Sequence, residues 1–410
     1  MPKIKLVILG SGFGAFRVAM GISTSMYDVT VVSPRDHFLF TPLLASTTVG
    51  TTEFRSIIEP VRYSQKGVRS FTAHCSNIDT QSKTIHCVST IDRDADFTLT
   101  YDVLVIAIGV VSADYGIPGV NEFALPIKEL GDARRIRQQI ISSIERATLP
   151  DITPEEQERL LTFVIVGGGP TGVEFAGELH DFIQQDLSSI FLELRGKFKI
   201  KLLDAGPTLL NAFDRSLGEY TKRIFRKRDI EILTSAPVKE VRHEEVVLED
   251  DTVLPFGTLV WSAGVTANPL TERLPFKRDQ QGRIITDEYL RVSGQQNIYA
   301  IGDCSTIQDK DDPMTAQAAQ QEGKYLAAAL NLTAQGRAVK PFRYSHKGML
   351  AYIGGQKGLA DTPAGKWRGF AAWVLWRSVY ITRLVGFRNK FRVLFDWIRT
   401  SIFGRDIATF

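Results

Sequence analysis

The sequence predicts an α/β fold, and two glycine-rich turns together with one basic, aromatic C-terminal stretch are the observations that predict it. The first glycine turn, Gly10–Gly14, follows the apolar run Lys5–Leu9, and the second glycine turn, Gly167–Gly172, follows Phe163–Val166. Glycines in such a strand–turn–helix allow the sharp bend, the approach of backbone to a pyrophosphate, and close helix packing. Two such motifs predict two Rossmann-like dinucleotide-binding domains. The simplest assignment is that one domain binds FAD and the other binds a nicotinamide nucleotide.

The composition is that of a globular chain with an unevenly charged end. At 410 residues and 44% hydrophobic content, two or three domains with a sizeable core are expected. The net charge of +3 hides an asymmetry, because residues 366–405 carry nine Lys and Arg residues against one acid, Asp396. The same stretch holds four of the five tryptophans. The remaining residues are therefore net acidic.

Cysteine and histidine usage argues against two kinds of site. The three cysteines, Cys75, Cys87 and Cys304, are too scattered for a disulfide framework and form no evident pair, which predicts a reducing compartment. The six histidines show no metal-ligand spacing, so no metal is expected. We also expect no nucleic-acid binding, because the cations of the basic tail are mixed with large apolar residues.

The order of the predicted elements indicates a discontinuous first domain. A βαβ unit spans Ile4–Ser33, a β-rich stretch covers about residues 70–100, and a buried parallel strand ends at Gly109. A later strand ends in the Gly302-Asp303 turn, beyond the second glycine turn and its own sheet. The chain leaves the first sheet, forms the second nucleotide-binding domain, and then returns to add a strand to the first sheet, which explains this order. The expected boundaries are 1–115 and 295–340 for the first domain, 116–294 for the second and 341–410 for a C-terminal region.

Asp204 ends the second strand of the second nucleotide-binding unit, where an acid usually holds a ribose. A carboxylate there accepts hydrogen bonds from a 2′-hydroxyl and repels a 2′-phosphate, which predicts NADH rather than NADPH. The alternative is an ordinary strand-end aspartate that caps a turn. Asp204 follows Gly167 at more than the usual spacing of about 20 residues, so the intervening helix must be lengthened. The first unit has Ser33 at the equivalent strand end.

Other polar side chains have both a functional and an ordinary interpretation. Asp303 could bond the ribityl or phosphate side of a flavin. Glu174, in the first turn after the second glycine turn, could complement the helix dipole, line the gap where nicotinamide meets flavin, or do both. Gln317 and Gln321 are four residues apart and share a helix face, so they could bond a quinone carbonyl or form a solvated polar face.

The sequence pattern of the C-terminal region predicts that it associates with a membrane. Residues 369–387 are apolar but interrupted by Arg377 and Arg383, which argues against a spanning helix. From Asn389 onward, large apolar residues recur at helical spacing with Lys and Arg on the rest of the wheel. Such helices lie in a membrane interface and favour anionic lipid. Packing on the protein's own core or in a homodimer is the alternative.

Met1 leads within a few residues into the first strand, which leaves no room for a signal peptide or transit segment. We therefore expect a peripheral protein on the cytoplasmic face of a bacterial inner membrane. A mitochondrial inner-membrane protein whose presequence has been removed is the alternative.

The whole chain resembles the type II NADH:quinone oxidoreductases, which are single-subunit and do not pump protons. The Ser-Pro-Arg and Thr-Pro-Leu-Leu segments are specific, whereas the glycine turns are shared by all flavoproteins with two dinucleotides. Ser33 also matches the family. The segments that carry the resemblance are Ser33–Arg35, Phe38–Leu44, Gly167–Glu174, Trp261–Val265, Gly302–Cys304, Ala316–Gln321, Asp396-Trp397 and Ile402–Asp406.

The resemblance implies the two-dinucleotide flavoprotein architecture with a C-terminal membrane-binding domain, and it implies roles for individual residues. FAD would lie on Gly10, Gly12, Gly14 and Asp303, with Thr41, Pro42 and Leu43 beside its ring system. NADH would lie on Gly169, Gly172 and Asp204. Glu174 would lie at the nicotinamide–flavin contact, and Gln317 and Gln321 would border a quinone site reached from the membrane. The remaining implied cofactor contacts are Arg35, Gly109, Gly167, Gly264, Gly302 and Ala316.

The implied reaction is hydride transfer from NADH to the flavin, followed by transfer of two electrons and protons to a membrane quinone. Three alternatives remain open. A sulfide:quinone oxidoreductase would need a reactive cysteine pair near the flavin. A soluble ferredoxin-type reductase would share the glycine turns but lack the basic amphipathic tail. A membrane-associated NADH-sensing flavoprotein would bind NADH with negligible turnover.

Overall fold

Helices and strands alternate along the part of the chain that the computed structural model describes, residues 2–92, 94–310 and 312–408. The α-helices are α1 (Phe13–Gly21), α2 (Leu44–Thr48), α3 (Val120–Phe123), α4 (Leu130–Ala147), α5 (Pro154–Leu160), α6 (Pro170–Phe182), α7 (Ser188–Ile190), α8 (Arg215–Arg226), α9 (Pro269–Arg273), α10 (Ala316–Ala334), α11 (Phe370–Arg383) and α12 (Phe387–Phe403).

The strands of the first third are β1 (Ile4–Leu9), β2 (Tyr27–Ser33), β3 (His37–Leu39), β4 (Ile58–Pro60), β5 (Arg69–Asp79), β6 (Thr84–Ser89), β7 (Asp96–Thr100), β8 (Val103–Ile106), β9 (Val110–Ser112) and β10 (Leu125–Pro126). Further along the chain follow β11 (Thr162–Val166), β12 (Lys199–Asp204), β13 (Ile230–Thr234), β14 (Val238–Val241), β15 (Glu245–Leu248), β16 (Val253–Pro255) and β17 (Thr258–Trp261). The remaining strands are β18 (Val265–Ala267), β19 (Ile284–Thr286), β20 (Ile298–Ala300), β21 (Ser305–Ile307), β22 (Met349–Tyr352), β23 (Gly358–Thr362) and β24 (Gly365–Gly369).

The chain forms two compact units, and each is built from separated segments. The first unit comprises Met1–Leu39, Ile58–Val111 and Val265–His346, and the second comprises Phe40–Ile57, Ser112–Gly264 and Lys347–Phe410. The C-terminal helices thus belong to the second unit. The three domain boundaries expected from the sequence remain a prediction.

The first unit is organised by a seven-stranded sheet in the order β20-β8-β1-β2-β5-β6-β7. Strands β20 to β5 run parallel, and β5, β6 and β7 continue as an antiparallel meander. The β1 and β8 runs are apolar and buried, as expected of parallel strands covered on both faces. The strand that rejoins this sheet late in the chain, β20, follows the predicted order.

Helix α10 packs against α1 at positions where only glycine leaves room. A Cβ at Gly323 would overlap the carbonyl oxygen of Gly14, and one at Gly21 would lie 2.9 Å from Ala327. Arg17 on α1 donates a hydrogen bond to Gln320 on α10 at 3.1 Å. The close packing brings the N-terminal turns of α10 beside the helix that opens at the first glycine turn.

The second unit is organised by a five-stranded parallel sheet in the order β10-β17-β11-β12-β13. Helix α6 follows β11 directly and continues through a π-helical turn, Ile183–Leu187, into α7 before the chain returns as β12. This continuation is the lengthened helix that the position of Asp204 required, so that prediction is confirmed. Antiparallel strands β22, β23 and β24 precede α11 and α12.

Candidate nucleotide, quinone and membrane sites

The first glycine turn in the first unit has the geometry of a pyrophosphate cradle. Gly10 has a φ of +110°, and a Cβ there would overlap the carbonyl oxygen of Ala107. Helix α1 begins after Gly12 without a side-chain cap. A Cβ at Gly14 would lie 3.0 Å from the Ile301 side chain. The backbone N–H groups at this helix start can therefore point at an anion, and the turn fits the phosphates of a dinucleotide.

Hydroxyl and guanidinium groups, rather than an acid, line the strand end beside this turn. Ser33 Oγ donates to Ser11 Oγ at 2.9 Å, and Arg35 Nε donates to the same Ser11 oxygen at 3.0 Å. Ser11 Oγ in turn donates to the carbonyl of His37 at 2.9 Å. The network holds Arg35 close to the turn, where its positive charge suits a phosphate.

The Gly302-Asp303 turn is held in the first unit by a buried glutamate. Gly302 has a φ of +74°, and its N–H donates to Glu322 Oε2 at 2.5 Å. Burial raises the pKa of Glu322 to about 7, and the Gly302 hydrogen bond opposes that rise. Glu322 was not expected from the sequence, because it lies 20 residues after Gly302. Its helix position, five residues after Gln317, gives no sign of this contact.

The second glycine turn in the second unit borders a cleft of about 610 Å³. Gly167 has a φ of +112°, and a Cβ there would lie 2.6 Å from the Ser262 carbonyl. Helix α6 begins after Gly169 with Pro170 in its first turn. The volume and the open helix start suit a dinucleotide. The cleft is lined by three of the four glycines implied to contact NADH, Gly167, Gly169 and Gly264, and by Tyr115, Thr171, Asp204 and Asn211.

Asp204 lies at the wall of this cleft and is half-buried. One carboxylate oxygen accepts the Gly168 N–H at 2.5 Å, and the other accepts the Gly206 N–H at 2.7 Å. The turn-capping role considered as an alternative is therefore real. It is compatible with the ribose role, because each carboxylate oxygen has a second lone pair for a hydroxyl donor.

Glu174 lies just beyond the first turn of α6, not in it as expected from the sequence. It is buried, and its surroundings keep it protonated near neutral pH. Its Oε1 accepts the backbone N–H of Tyr352 at 3.0 Å and the indole N–H of Trp376 at 3.1 Å. Burial raises the pKa of Glu174 to about 8, while these two hydrogen bonds act to lower it. Tyr352 ends strand β22 and Trp376 lies on α11, so the C-terminal part of the second unit shapes this carboxyl group.

Two further acids follow Glu174 along the same helix. Glu178 accepts a hydrogen bond from Thr51 at 2.7 Å, and burial raises its pKa to about 7 against the attraction of Arg405. Asp181 keeps a pKa of about 2, because hydrogen bonds and the nearby Arg228 charge outweigh the effect of its burial. The i, i+4, i+7 spacing of these acids was readable in the sequence, but their partners lie far away along the chain.

Gln317 and Gln321 lie on one face of α10, as predicted, and both contact the segment after it. Gln321 Nε2 donates to the carbonyl of Ser345 at 2.9 Å, and its Oε1 accepts the Ser345 N–H at 3.0 Å. Tyr344 Oη donates to Gln317 Oε1 at 3.5 Å. The amide of Gln321 therefore anchors this segment, which is one structural use of the pair.

The other implied cofactor contacts lie at chain reversals. Thr41–Leu43 forms a 3₁₀ turn in the second unit. Gly109 and Gly264 have φ values of +65° and +122°. Ala316 opens α10 just after Thr315, whose hydroxyl accepts the Ala318 N–H at 3.2 Å. The roles of these residues as cofactor contacts remain predictions.

Helix α12 exposes a continuous apolar face. Trp397 and Val393 are buried, whereas Phe391 and Phe395 are 70% and 64% exposed. The remaining large apolar residues exposed on α11 and α12 are Phe370, Val374, Phe387, Leu394, Ile398, Ile402 and Phe403. Within residues 2–92, 94–310 and 312–408, no helix combines the length and hydropathy needed to cross a bilayer. Single apolar residues scattered over a surface are normal, whereas a group of exposed apolar side chains such as this one indicates an interaction site.

The cysteines correct one expectation. Cys75 and Cys87 are register partners on β5 and β6, so the statement that the three cysteines form no evident pair is wrong. The cause is a register irregularity directly after Cys75, which the sequence does not reveal. Cys304 is buried and separate, as expected, with its sulfur 3.3 Å from the Ile301 carbonyl.

Comparison with known proteins defines the class. The pyridine nucleotide-disulphide oxidoreductase family matches residues 4–323, and the NDH2 C-terminal domain matches residues 346–406. A probable NADH dehydrogenase of Dictyostelium discoideum is 44% identical over 99% of this chain and 91% of its own length. The mitochondrial internal alternative NAD(P)H-ubiquinone oxidoreductase A1 of Arabidopsis thaliana is 39% identical over 99% of this chain and 86% of its own.

A solved structure of NDH2 from Plasmodium falciparum in complex with NADH aligns with a TM-score of 0.95 at 28% identity. It covers 99% of this chain and 100% of the other. The chain belongs to the pyridine nucleotide-disulphide oxidoreductase family and, within it, to the type II NADH dehydrogenases. The predicted family and the predicted α/β fold with two dinucleotide-binding units and an NDH2-type C-terminal region are confirmed.

Proposed function

We infer that this protein transfers two electrons from NADH through FAD to a quinone, without proton pumping. The observation that carries the inference is the pair of glycine turns, one in each unit, with different strand-end residues beside them. The enzyme class, an NADH:quinone oxidoreductase, and the cofactors FAD and NADH are confirmed by the family and by relatives named as ubiquinone oxidoreductases. The sulfide, ferredoxin and sensor alternatives have no comparable support.

We propose that the first unit holds the FAD phosphates and ribityl chain. The supporting geometry is the open start of α1, the strained Gly10 bend, and Arg35 held beside the turn. When bound, FAD supplies the redox chemistry, taking a hydride from the nicotinamide and passing electrons to the quinone. The further FAD contacts proposed are Gly12, Gly14, Thr41, Pro42, Leu43, Gly109, Gly302, Asp303 and Ala316.

We propose that the second unit binds NADH in the cleft beside the second glycine turn. The N–H groups at the start of α6 would hold the pyrophosphate, and Gly172 lets the turn pack against Ser262. The carboxylate of Asp204 would accept the ribose hydroxyls and repel a 2′-phosphate. The remaining NADH contacts proposed are Gly167, Gly169 and Gly264.

Glu174 is proposed as the residue that holds a proton where the nicotinamide meets the flavin. Its raised pKa means that the carboxyl group is neutral below about pH 8, so it neither repels a hydride donor nor carries a charge into an apolar site. Gln317 and Gln321 are proposed to border the quinone. Both ends of the Gln321 amide also bond Ser345.

We propose that the exposed face of α12 and α11 lies in an anionic membrane surface, which brings the quinone within reach. The basic residues around the helix, Arg388, Lys390 and Arg392, add attraction to anionic lipid. The membrane proposed is the cytoplasmic face of a bacterial inner membrane. The mitochondrial relative makes a mitochondrial inner membrane the alternative, and a homodimer through the same face is the competing use of it.

Steady-state turnover of the purified FAD-loaded protein tests the function. NADH oxidation should depend on added short-chain quinone, with one quinol formed for each NADH consumed. NADH oxidation that proceeds equally without quinone, or that fails with every quinone offered, would contradict the assignment. Replacement of the quinone by ferredoxin separates the reductase alternative.

A further inference from the structure

Two cysteines face each other across neighbouring strands of the first unit. Cys75 on β5 and Cys87 on β6 are Cα partners in an antiparallel pair. Such partners have Cα atoms about 4.5–5.5 Å apart and side chains on the same face of the sheet. A disulfide needs Cα atoms about 4.4–6.8 Å apart. The Cα separation expected of such a pair therefore falls within the range that a disulfide requires.

The surroundings permit the small adjustment that a bond would need. The register slips by one residue directly after Cys75, so Ser76 is an extra residue in β5 and the ladder is locally interrupted. Cys75 donates to the carbonyl of Asn77 on its own strand at 3.4 Å, a weak bond that can be released. The bulge gives Cys75 freedom that a regular strand position lacks.

The two thiols differ in access and in acidity. Cys87 is 1% exposed and lies in an apolar cluster that includes Phe97, its neighbour on β7, whereas Cys75 is half-buried. The hydrogen bond with Cys75 lowers the pKa of Cys87, against the effect of burial. Because the thiolate is the reactive form, Cys87 is the nucleophile and only a small oxidant can reach it.

Cys304 differs from the Cys75–Cys87 pair in its acidity and its surroundings. Burial raises the pKa of its thiol to about 12, and its sulfur faces the backbone carbonyls of Ile106 and Ile301. No second cysteine sulfur is available to it, because the other two pair with each other on β5 and β6. Cys304 therefore provides an internal control for the chemistry of the pair.

We propose that Cys75 and Cys87 form a reversible disulfide when the protein meets a hydroperoxide such as hydrogen peroxide. The Cys87 sulfur attacks one peroxide oxygen, the O–O bond breaks, and the leaving hydroxide becomes water as Cys87 becomes a sulfenic acid. The Cys75 sulfur then attacks the Cys87 sulfur, the S–O bond breaks, and a second water leaves with the thiol proton. The two thiols lose two electrons, and the peroxide is reduced to two waters.

The cross-link would join β5 covalently to β6 within the antiparallel meander. Strand β5 also pairs with β2, with Thr72 opposite Ser33, so the linked strands adjoin the strand that ends beside the first glycine turn. Closing a loop between residues 75 and 87 restricts the unfolded chain. The oxidised protein is expected to melt at a higher temperature than the reduced protein.

The test treats the FAD-loaded protein with stoichiometric hydrogen peroxide, alkylates it with N-ethylmaleimide in denaturant, and measures intact and peptide masses. The expected result is one alkylated thiol instead of three, a mass loss of two hydrogen atoms, and a cross-linked peptide pair containing Cys75 and Cys87. Dithiothreitol should restore all three thiols.

Variants separate the pair from other thiol chemistry. Cys304→Ser should keep the cross-link, and Cys87→Ser should abolish it. Cys75→Ser should leave a sulfenic acid on Cys87 that dimedone traps once denaturant exposes the buried sulfur. Three thiols still alkylated after peroxide in the wild-type protein, a cross-link between two molecules, or sulfinic acid without a cross-link would each overturn the proposal. The wild-type masses decide the matter even if a variant fails to fold.

Discussion

The two units present the same glycine turn with different chemistry around it. Gly10 and Gly167 have almost the same φ, +110° and +112°. Each turn leads into a helix that has no side-chain cap. The first turn lies beside the hydroxyl of Ser33 and the guanidinium of Arg35, whereas the second turn is bonded by the carboxylate of Asp204. We propose that the motif provides the phosphate site in each unit and that the strand-end residue selects which dinucleotide the site suits.

Breaking either turn should separate the two cofactors. Gly10→Ala places a Cβ against the Ala107 carbonyl, and Gly167→Ala places one 2.6 Å from the Ser262 carbonyl. Strain of about 1–3 kcal/mol, equal to roughly a five- to 150-fold loss of affinity, is expected in each case. Gly10→Ala should lose FAD, measured by flavin absorbance per protein, and Gly167→Ala should keep FAD but lose NADH affinity, measured by calorimetry.

Gly116→Ala is the matched control, because Gly116 has a φ of +69° but a Cβ there meets no atom within 4 Å. It should keep both nucleotides. If Gly10→Ala retained FAD, or if both turn variants lost the same nucleotide, the assignment of one dinucleotide to each turn would fail.

The units also differ in their exposed apolar surface. Phe391→Ser combined with Phe395→Ser removes two exposed rings from α12. At least roughly tenfold weaker binding to anionic liposomes is expected, since full burial of even one ring contributes about 1.5–3 kcal/mol. Ile91→Ser in the first unit, 83% exposed, is the control and should bind like wild type. Co-sedimentation measures the effect. Unchanged sedimentation of the double variant, with a dimer lost in ultracentrifugation, would favour the dimer interface.

The strand-end residues provide a narrower test. Asp204→Asn should reduce the preference for NADH over NADPH by about tenfold, which corresponds to about 1.4 kcal/mol, because a neutral amide no longer repels the 2′-phosphate. Ser33→Ala changes the equivalent position of the first unit and should leave this ratio of kcat/KM values alone. An unchanged ratio in Asp204→Asn would restrict Asp204 to its turn-capping role.

The smallest expected effect is on the pH profile. Both units contain buried glutamates with a raised pKa, among them Glu174 in the second unit at about 8 and Glu322 in the first unit at about 7. Glu174 holds its proton below about pH 8 and loses it above, so quinone reduction should slow severalfold as the pH rises past that value. Glu174→Gln should abolish this decrease in rate at alkaline pH, and Glu322→Gln should keep it. If the decrease persists in Glu174→Gln, another group must be responsible for it.

Local patterns made the two turns, Asp204 and the tail predictable from the sequence. Glycine spacing defines a strand–turn–helix, and the period of the large apolar residues defines the face of α12. Glu322 and the Cys75–Cys87 pair were not predictable, because they depend on partners from other elements. The cysteine register is the clearest case, since one extra residue at Ser76 shifts which side chains face each other.

The surroundings of Glu174 show the same limit. Its position after the second glycine turn indicated a role, but its raised pKa comes from burial beside Tyr352 and Trp376, some 180 to 200 residues later in the chain. Burial by distant elements is a property of the folded unit. The contact of Glu174 with these distant residues cannot be inferred from a single sequence.

Anaerobic stopped-flow spectroscopy of the purified protein tests the central claim most directly. Flavin absorbance is followed as NADH and then a short-chain quinone are added in sequence. The account predicts loss of the oxidised flavin absorbance with NADH and its full recovery with quinone. A protein that shows no flavin spectrum, or whose flavin absorbance never recovers with quinone, would contradict it.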